Sequence, residues 1–261
     1  MSRLHLTFAC GSLTLVGTLD TAPGHTGLLI VSGGSEIRSG AFSGQAQLAQ
    51  RVAQAGFPVF RFDRRGVGDS EGEDHAFRSS GRDVASALSA FRAMAPDVDR
   101  VFAFGNCDAA SALMLNKGVG FDGLVLSNPW AFEDEAAGKD AAPPPAAIRQ
   151  RYAQKLKDPS EVLRLLRGGV DLRKLGKGLL KSARPSATSS DLLREMREGL
   201  ETYSGTVALL LASADRTAQQ FAEGWDPSDS RIKRCEGAGH AYVEPEHRAW
   251  LEEQVLAALR S

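Results

Sequence analysis

The segment Phe104-Gly105-Asn106-Cys107-Asp108-Ala109 sets a cysteine between small residues two positions before and two after it. It follows the apolar run Arg100 to Phe104, read as a strand. It leads into the Ala-rich run Cys107 to Leu115, read as a helix. A nucleophile at such a strand–turn–helix elbow takes strained backbone angles, so bulky side chains at the flanking positions would clash. The turn also sets the side chain at a helix N-terminus. The partial positive charge there favours a thiolate and a developing oxyanion. Cys107 is therefore the candidate nucleophile for acyl chemistry. Cys10 and Cys235 read as small buried apolar residues. Three scattered cysteines suit neither a disulfide framework nor a zinc site, and no metal or cofactor is expected.

A nucleophile needs a base, and the base an orienting acid. His240 lies in Gly237-Ala238-Gly239-His240-Ala241, directly after the last expected strand. Asp215 follows the strand Thr206 to Ala212, with Asp226 and Asp229 in reserve. The chain order nucleophile, acid, histidine fits one known arrangement of such triads. Two backbone N–H groups are expected to hold an oxyanion. One belongs to Asp108 and the other to Gly34, with Ser35 next in line. Arg38 is a candidate clamp for a substrate carboxylate or phosphate. Asn128 and Trp130, after the strand Gly123 to Ser127, are candidate substrate contacts. Each assignment has a structural alternative. Asp215 could cap the following helix, His240 and Arg38 could be solvated loop residues, and Gly33-Gly34-Ser35 could be an ordinary turn. The loop Asp63-Arg64-Arg65-Gly66-Val67-Gly68-Asp69-Ser70 is read as structural, since it matches neither phosphate-binding fingerprint.

These residues need a scaffold. Leu4 to Ala9 and Leu13 to Leu19 alternate around Gly11, as an antiparallel hairpin would. Strand and helix then alternate: strand Gly27 to Ser32, helix Phe42 to Ala55, strand Pro58 to Phe62, helix Gly81 to Met94. The expected elbow and the strand Gly123 to Ser127 follow. This pattern predicts an α/β protein, a mostly parallel central sheet flanked by helices. Glu133 to Pro145 reads as a mobile loop and Ala146 to Ser204 as helical. Alternation resumes with strand Thr206 to Ala212, helix Thr217 to Gly224, strand Ile232 to Cys235 and helix His247 to Arg260. The expected organisation is a core of residues 1–130 and 205–261 with a helical cap insertion at 131–204. From Arg149 to Arg184 there are eleven Lys or Arg against three Asp or Glu. That stretch is either a set of solvated helix faces or a docking surface for an acidic partner.

The chain has 261 residues, is 43% hydrophobic and carries a formal charge of -1. That balance argues against a dedicated nucleic-acid binder. No apolar run is long enough to span a bilayer, and Met1 to Thr14 lacks the order of a signal peptide. A cytoplasmic, soluble protein is expected.

With these residues in place, the sequence resembles the α/β hydrolases associated with exosortase (PEP-CTERM) systems. The likeness rests on Phe8-Ala9-Cys10-Gly11, on Arg61 through Gly72, on Cys107-Asp108-Ala109-Ala110-Ser111, on Asn128-Pro129-Trp130 and on Asp215-Arg216-Thr217-Ala218-Gln219. It departs in the oxyanion loop, where Ser35-Glu36 stands in place of a Pro-Gln pair. The resemblance implies an α/β-hydrolase fold and a triad of Cys107, Asp215 and His240. It also implies acyl-thioester chemistry beside acyl-carrier proteins and acyl ligases. The expected activity is thioesterase-type hydrolysis of an acyl thioester, carried on coenzyme A or on an acidic acyl-carrier protein docked on the cap. The alternatives are an acyltransferase serving an alcohol or amine, and a hydrolase fold that only binds. An intact Cys, Asp and His in order weighs against the last.

Overall fold

A computed structural model describes residues 2–131 and 191–261. The strands are β1 (Arg3–Cys10), β2 (Leu13–Asp20), β3 (Thr26–Val31), β4 (Val59–Phe62), β5 (Arg100–Asn106), β6 (Gly123–Ser127), β7 (Thr206–Ala212) and β8 (Ile232–Cys235). The helices are α1 (Gly44–Gln54), α2 (Gly81–Met94), α3 (Asp108–Leu115), α4 (Asp191–Glu201), α5 (Arg216–Gly224) and α6 (Pro245–Leu259). The eight strands form one sheet in the order β1-β2-β4-β3-β5-β6-β7-β8. The two pairings involving β2 are antiparallel and the rest are parallel.

Alternation along the central strands divides the core. Leu29, Val31, Ala103, Leu124 and Leu126 face one side, packed with Val84, Phe91, Leu113, Met196 and Phe221. Leu28, Ile30, Phe102, Phe104 and Val125 face the other, packed with Leu48, Val52, Val255 and Leu259. A parallel sheet covered on both faces gives strands that are apolar throughout, which is why β3 and β6 read as unbroken runs. Each such large side chain contributes roughly 1.5–3 kcal/mol by leaving water.

Two boundaries differ from the sequence expectation. The first helix was expected from Phe42, but Phe42 and Ser43 have φ of 52° and 57°, so α1 starts at Gly44. Asp191–Glu201 fell within the expected cap. It is a helix whose Leu192, Leu193, Met196 and Leu200 join the core. It packs on α3 so closely that a Cβ on Gly199 would overlap the Met114 carbonyl. The rest of the expected cap, including its basic stretch and the loop Glu133 to Pro145, lies outside the described residues. Among the described residues no helix is long and apolar enough to cross a membrane.

The register aligns the C-terminal ends of the central strands. Val31 pairs with Gly105, Asn106 with Ser127, Ser127 with Leu210, and Ala212 with Cys235. The loops that follow β3, β5, β6, β7 and β8 therefore leave from one edge, where α/β ligand sites form.

Candidate active site

Cys107 has φ 63° and ψ -130°, a left-handed backbone that a cysteine rarely adopts. Its N–H donates to the Ser127 carbonyl at 3.0 Å, and its carbonyl accepts from Trp130 N–H at 3.2 Å. The elbow is thus held from β6 as well as from its own helix. A Cβ on Gly105 would sit 2.8 Å from backbone atoms of Ala109 and Ala110, so the turn closes only over glycine. Ala109 is fully buried. Cys107 itself is partly exposed, while Cys10 and Cys235 are buried, and all three thiols are free. Burial pushes the Cys235 thiol up.

His240 follows β8, and its Nδ1 lies 3.0 Å from Asp215 Oδ2. The Cys107 side chain also acts electrostatically on the imidazole. Burial alone would lower the His240 pKa. Hydrogen bonds and charge from Asp215 and Cys107 outweigh it and raise the value to about 10. The ring is therefore an imidazolium at neutral pH. The two roles considered for Asp215 coexist, because the same Oδ2 caps α5 through Ala218 N–H at 3.1 Å. The reserve acids are occupied elsewhere. Asp226 accepts from Ser228, and Asp229 pairs with Arg231 and Trp225, which holds its pKa at about 2.

The backbone of His240 is pinned as well. Its carbonyl accepts from the side-chain amides of Asn106 and Asn128, each at 3.3 Å. Asn128 Nδ2 also donates to Asn106 Oδ1 at 3.0 Å, and Asn128 Oδ1 accepts Ala212 N–H at 2.8 Å. Asn128 is 0% exposed, so it ties β5, β6, β7 and the histidine loop together. That corrects its expected place as a substrate contact: both ends of its amide already serve the protein. Nearby, Tyr242 and Ser127 share a hydrogen bond at 3.1 Å.

A cavity of about 500 Å³ opens on Cys107 and is lined by Gly34, Ser35, Arg64, Phe77, Asp108 and Trp130, among others. Trp130, expected as a substrate contact, and Ser35, expected beside the oxyanion donor, both line this cavity. Ser35 Oγ donates to Asp74 at 3.3 Å. Arg38 does not line this cavity. Its guanidinium is committed to Asp63, to Asp69 at 3.0 Å and to Thr18 at 3.2 Å. It braces the loop after β3 against the loop after β4, and this corrects its expected role as a substrate clamp.

The expected oxyanion loop also differs. Gly34 N–H donates to Oδ1 of Asp108 at 2.6 Å, so the expected second donor is engaged by the side chain that follows Cys107. Arg64 donates to the Gly34 carbonyl, and its Nη2 lies 3.8 Å from Asp108 Oδ2. Sequence reasoning missed three of these parts: the Asp108 side chain, Arg64 and Asn106. Asn106 occupied the unspecified position of the elbow motif. Arg64 sat in a loop read only as a turn. Neither residue type carried a signal of its own.

The alpha/beta hydrolase family model matches residues 28–254. The chain belongs to the alpha/beta hydrolase family. Solved structures share its fold at low identity. The alpha/beta hydrolase GrgF from Penicillium sp. sh18 is 16% identical with a TM-score of 0.62, over 99% of this chain and 97% of that one. A serine hydrolase without a lid from Xanthomonas campestris is 14% identical with a TM-score of 0.61, over 100% and 94%. Est1E from Butyrivibrio proteoclasticus, solved with ferulic acid bound, is 13% identical with a TM-score of 0.63, over 98% and 100%. No curated protein matches the sequence. At this distance the hydrolase shares a fold with these structures, and its elbow carries Cys107. Among its described residues, no group of three or more His, Cys, Asp or Glu could hold a metal ion.

Proposed function

We propose that this hydrolase cleaves acyl thioesters through a covalent intermediate on Cys107, with His240 as base and Asp215 as its orienting acid. The observation that carries the reading is the line Asp215–His240–Cys107. His240 is held on Nδ1 by the carboxylate at 3.0 Å and interacts electrostatically with the cysteine side chain.

In the reaction, the sulfur of Cys107 attacks the carbonyl carbon. The proton it has given up stays on His240, and the carbonyl oxygen becomes an oxyanion on the N–H of Asp108 and then of Gly34. Collapse breaks the bond to the leaving thiolate, which takes the His240 proton. Water, deprotonated by His240, then attacks the acyl-cysteine and releases the acid. Asp215 keeps the imidazole oriented and supports its charge throughout. The acyl-enzyme is itself a thioester and keeps the group potential of its substrate. An alcohol or amine acceptor can therefore replace water, and transfer is the second outcome of the same chemistry. The resemblance to exosortase-associated hydrolases and the basic stretch Arg149 to Arg184 support an acidic carrier protein in the cytoplasm as the acyl donor.

The test is incubation with aryl thioesters followed by intact-mass analysis. An acyl adduct is expected on Cys107 and is expected to be absent in Cys107→Ala. An undiminished adduct in that variant rejects the assignment. The binding-only alternative has its own discriminator. It requires Cys107 to react with iodoacetamide near neutral pH no faster than a free thiol, whereas a sulfur beside an imidazolium reacts faster at that pH. Adding an alcohol or amine during turnover separates hydrolysis from transfer by the product formed.

A further inference from the structure

We propose that the Asp108 carboxylate is a displaceable occupant of the oxyanion site: it holds Gly34 N–H in the free enzyme and swings onto Arg64 when a substrate carbonyl takes that donor. This rests on the reading of Cys107 as an acyl-accepting nucleophile.

Three observations support it. Asp108 Oδ1 accepts Gly34 N–H at 2.6 Å, a charge-assisted bond to the donor that an oxyanion needs. The carboxylate also lies beside the nucleophile. A Cβ built on Gly33 would fall 2.6 Å from that Oδ1 and 3.5 Å from Cys107 Cβ. An acyl carbonyl over Cys107 and this carboxylate therefore compete for one N–H. A negative oxyanion would moreover meet a negative side chain there.

The third observation gives the carboxylate a place to go. Arg64 is 3% exposed in its side chain, and its Nη2 is 3.8 Å from Asp108 Oδ2, beyond a hydrogen bond but within a side-chain rotation. Its Nη2 serves the Gly34 carbonyl, while its buried Nε and Nη1 have no hydrogen-bond partner among the described residues. A buried guanidinium with unused donors is costly. A carboxylate that leaves Gly34 has these donors within its neighbourhood and stays within ion-pair distance of the same guanidinium. Arg64 also holds the Gly34 carbonyl, which fixes the loop so that its N–H stays aimed at the site when Asp108 leaves.

The experiment compares two reactions of the same sulfur in the full-length protein. Alkylation by iodoacetamide needs the thiolate but no oxyanion donor, whereas acylation by an aryl thioester needs both. Asp108→Ala frees Gly34 N–H without removing either backbone donor. Its pre-steady-state acylation rate is expected to rise about tenfold relative to its alkylation rate, the worth of one charge-assisted contact, the alkylation rate taking up the change of charge beside the sulfur. Asp108→Asn keeps an acceptor without the charge and is expected to fall between. Arg64→Lys removes both the second resting place and the hold on the Gly34 carbonyl, and is expected to slow acylation more in the wild-type background than in the Asp108→Ala background. The two Asp108 variants decide the matter if Arg64→Lys fails to fold. Equal or slower acylation in Asp108→Ala, with the wild-type adduct on Cys107 intact, overturns this proposal alone. Absence of the adduct in every protein overturns it together with the nucleophile assignment.

Discussion

Oδ2 of Asp215 faces Nδ1 of His240 at 3.0 Å while the same oxygen caps α5 at Ala218 N–H. One atom thus links the orientation of the imidazole to the start of a helix. The two jobs can be separated chemically. Asp215→Asn retains an oxygen for the cap but loses the charge that supports the imidazolium. Its stability in urea is expected to stay near wild type, while turnover falls roughly 10²–10⁴-fold. Asp215→Ala is expected to match that loss and also to cost about 1 kcal/mol of stability through the cap. An Asp215→Asn enzyme as active as its parent removes Asp215 from the proposed triad.

The elbow makes a steric prediction. Gly105 Cβ would meet the α3 backbone at 2.8 Å, and backbone atoms cannot rotate away as a side chain can. Gly105→Ala is expected to cost about 1–3 kcal/mol, as overpacking does elsewhere. Because the displaced segment carries Cys107, thioester turnover should drop with it. Urea unfolding and turnover measured on the same preparation check both halves. Wild-type values for each would mean that the elbow tolerates a methyl group and that the small-residue rule does not govern it.

Much of this was legible in the sequence, for specific reasons. Leu28 to Val31 and Val207 to Ala212 are unbroken apolar runs, because their strands run into the buried middle of the sheet, and they read clearly as strands. Gly105 and Ala109 bracket Cys107 because the turn leaves room for nothing larger, so the elbow was visible too. The start of α1 was not. Phe42 fits helical spacing, yet its φ of 52° comes from the path of the chain around Gly40, which spacing does not encode. Arg38 and Asn128 were read as facing substrate from their positions after strands. The structure turns both toward protein partners, since a polar residue near a site serves loops as readily as ligands. Asp108 was expected to contribute only its backbone. Where its carboxylate goes depends on Gly34, 74 residues away along the chain, and local sequence carries no trace of that pairing.

The amide pair behind His240 predicts a loss that activity and stability share unequally. Asn128→Leu is close in size but removes the donors to the His240 carbonyl and Asn106 and the acceptor for Ala212 N–H. Unpaired buried groups cost about 1–3 kcal/mol each, so stability is expected to fall by a few kcal/mol. Asn106→Ala removes one donor to His240 and one acceptor of the Asn128 amide, which still reaches the His240 carbonyl, and its stability loss is expected to be about 1–2 kcal/mol. In both variants kcat should fall more than KM changes, because the imidazole is displaced and the cavity walls are not. A rise in KM alone would return Asn128 to the role of a substrate contact.

The His240 pKa near 10 has a consequence for stability whose sign can be worked out. An unfolded histidine titrates near ~6.5, so the folded imidazole holds its proton more tightly than the unfolded one. The stabilisation this gives is complete below about pH 6.5 and is lost as pH rises through about 10. Wild-type urea stability is therefore expected to decline across that window by more than that of His240→Gln, and the difference between the two curves isolates this group. Cys107→Ala removes the sulfur's share of the shift but leaves that of Asp215. Its difference curve is expected to end at a lower pH, and the imidazole signals in NMR should titrate lower by the same amount. A His240 titration unchanged by Cys107→Ala would mean that the sulfur does not act on the imidazole, and the pairing of nucleophile and base in the proposed mechanism would fall with it.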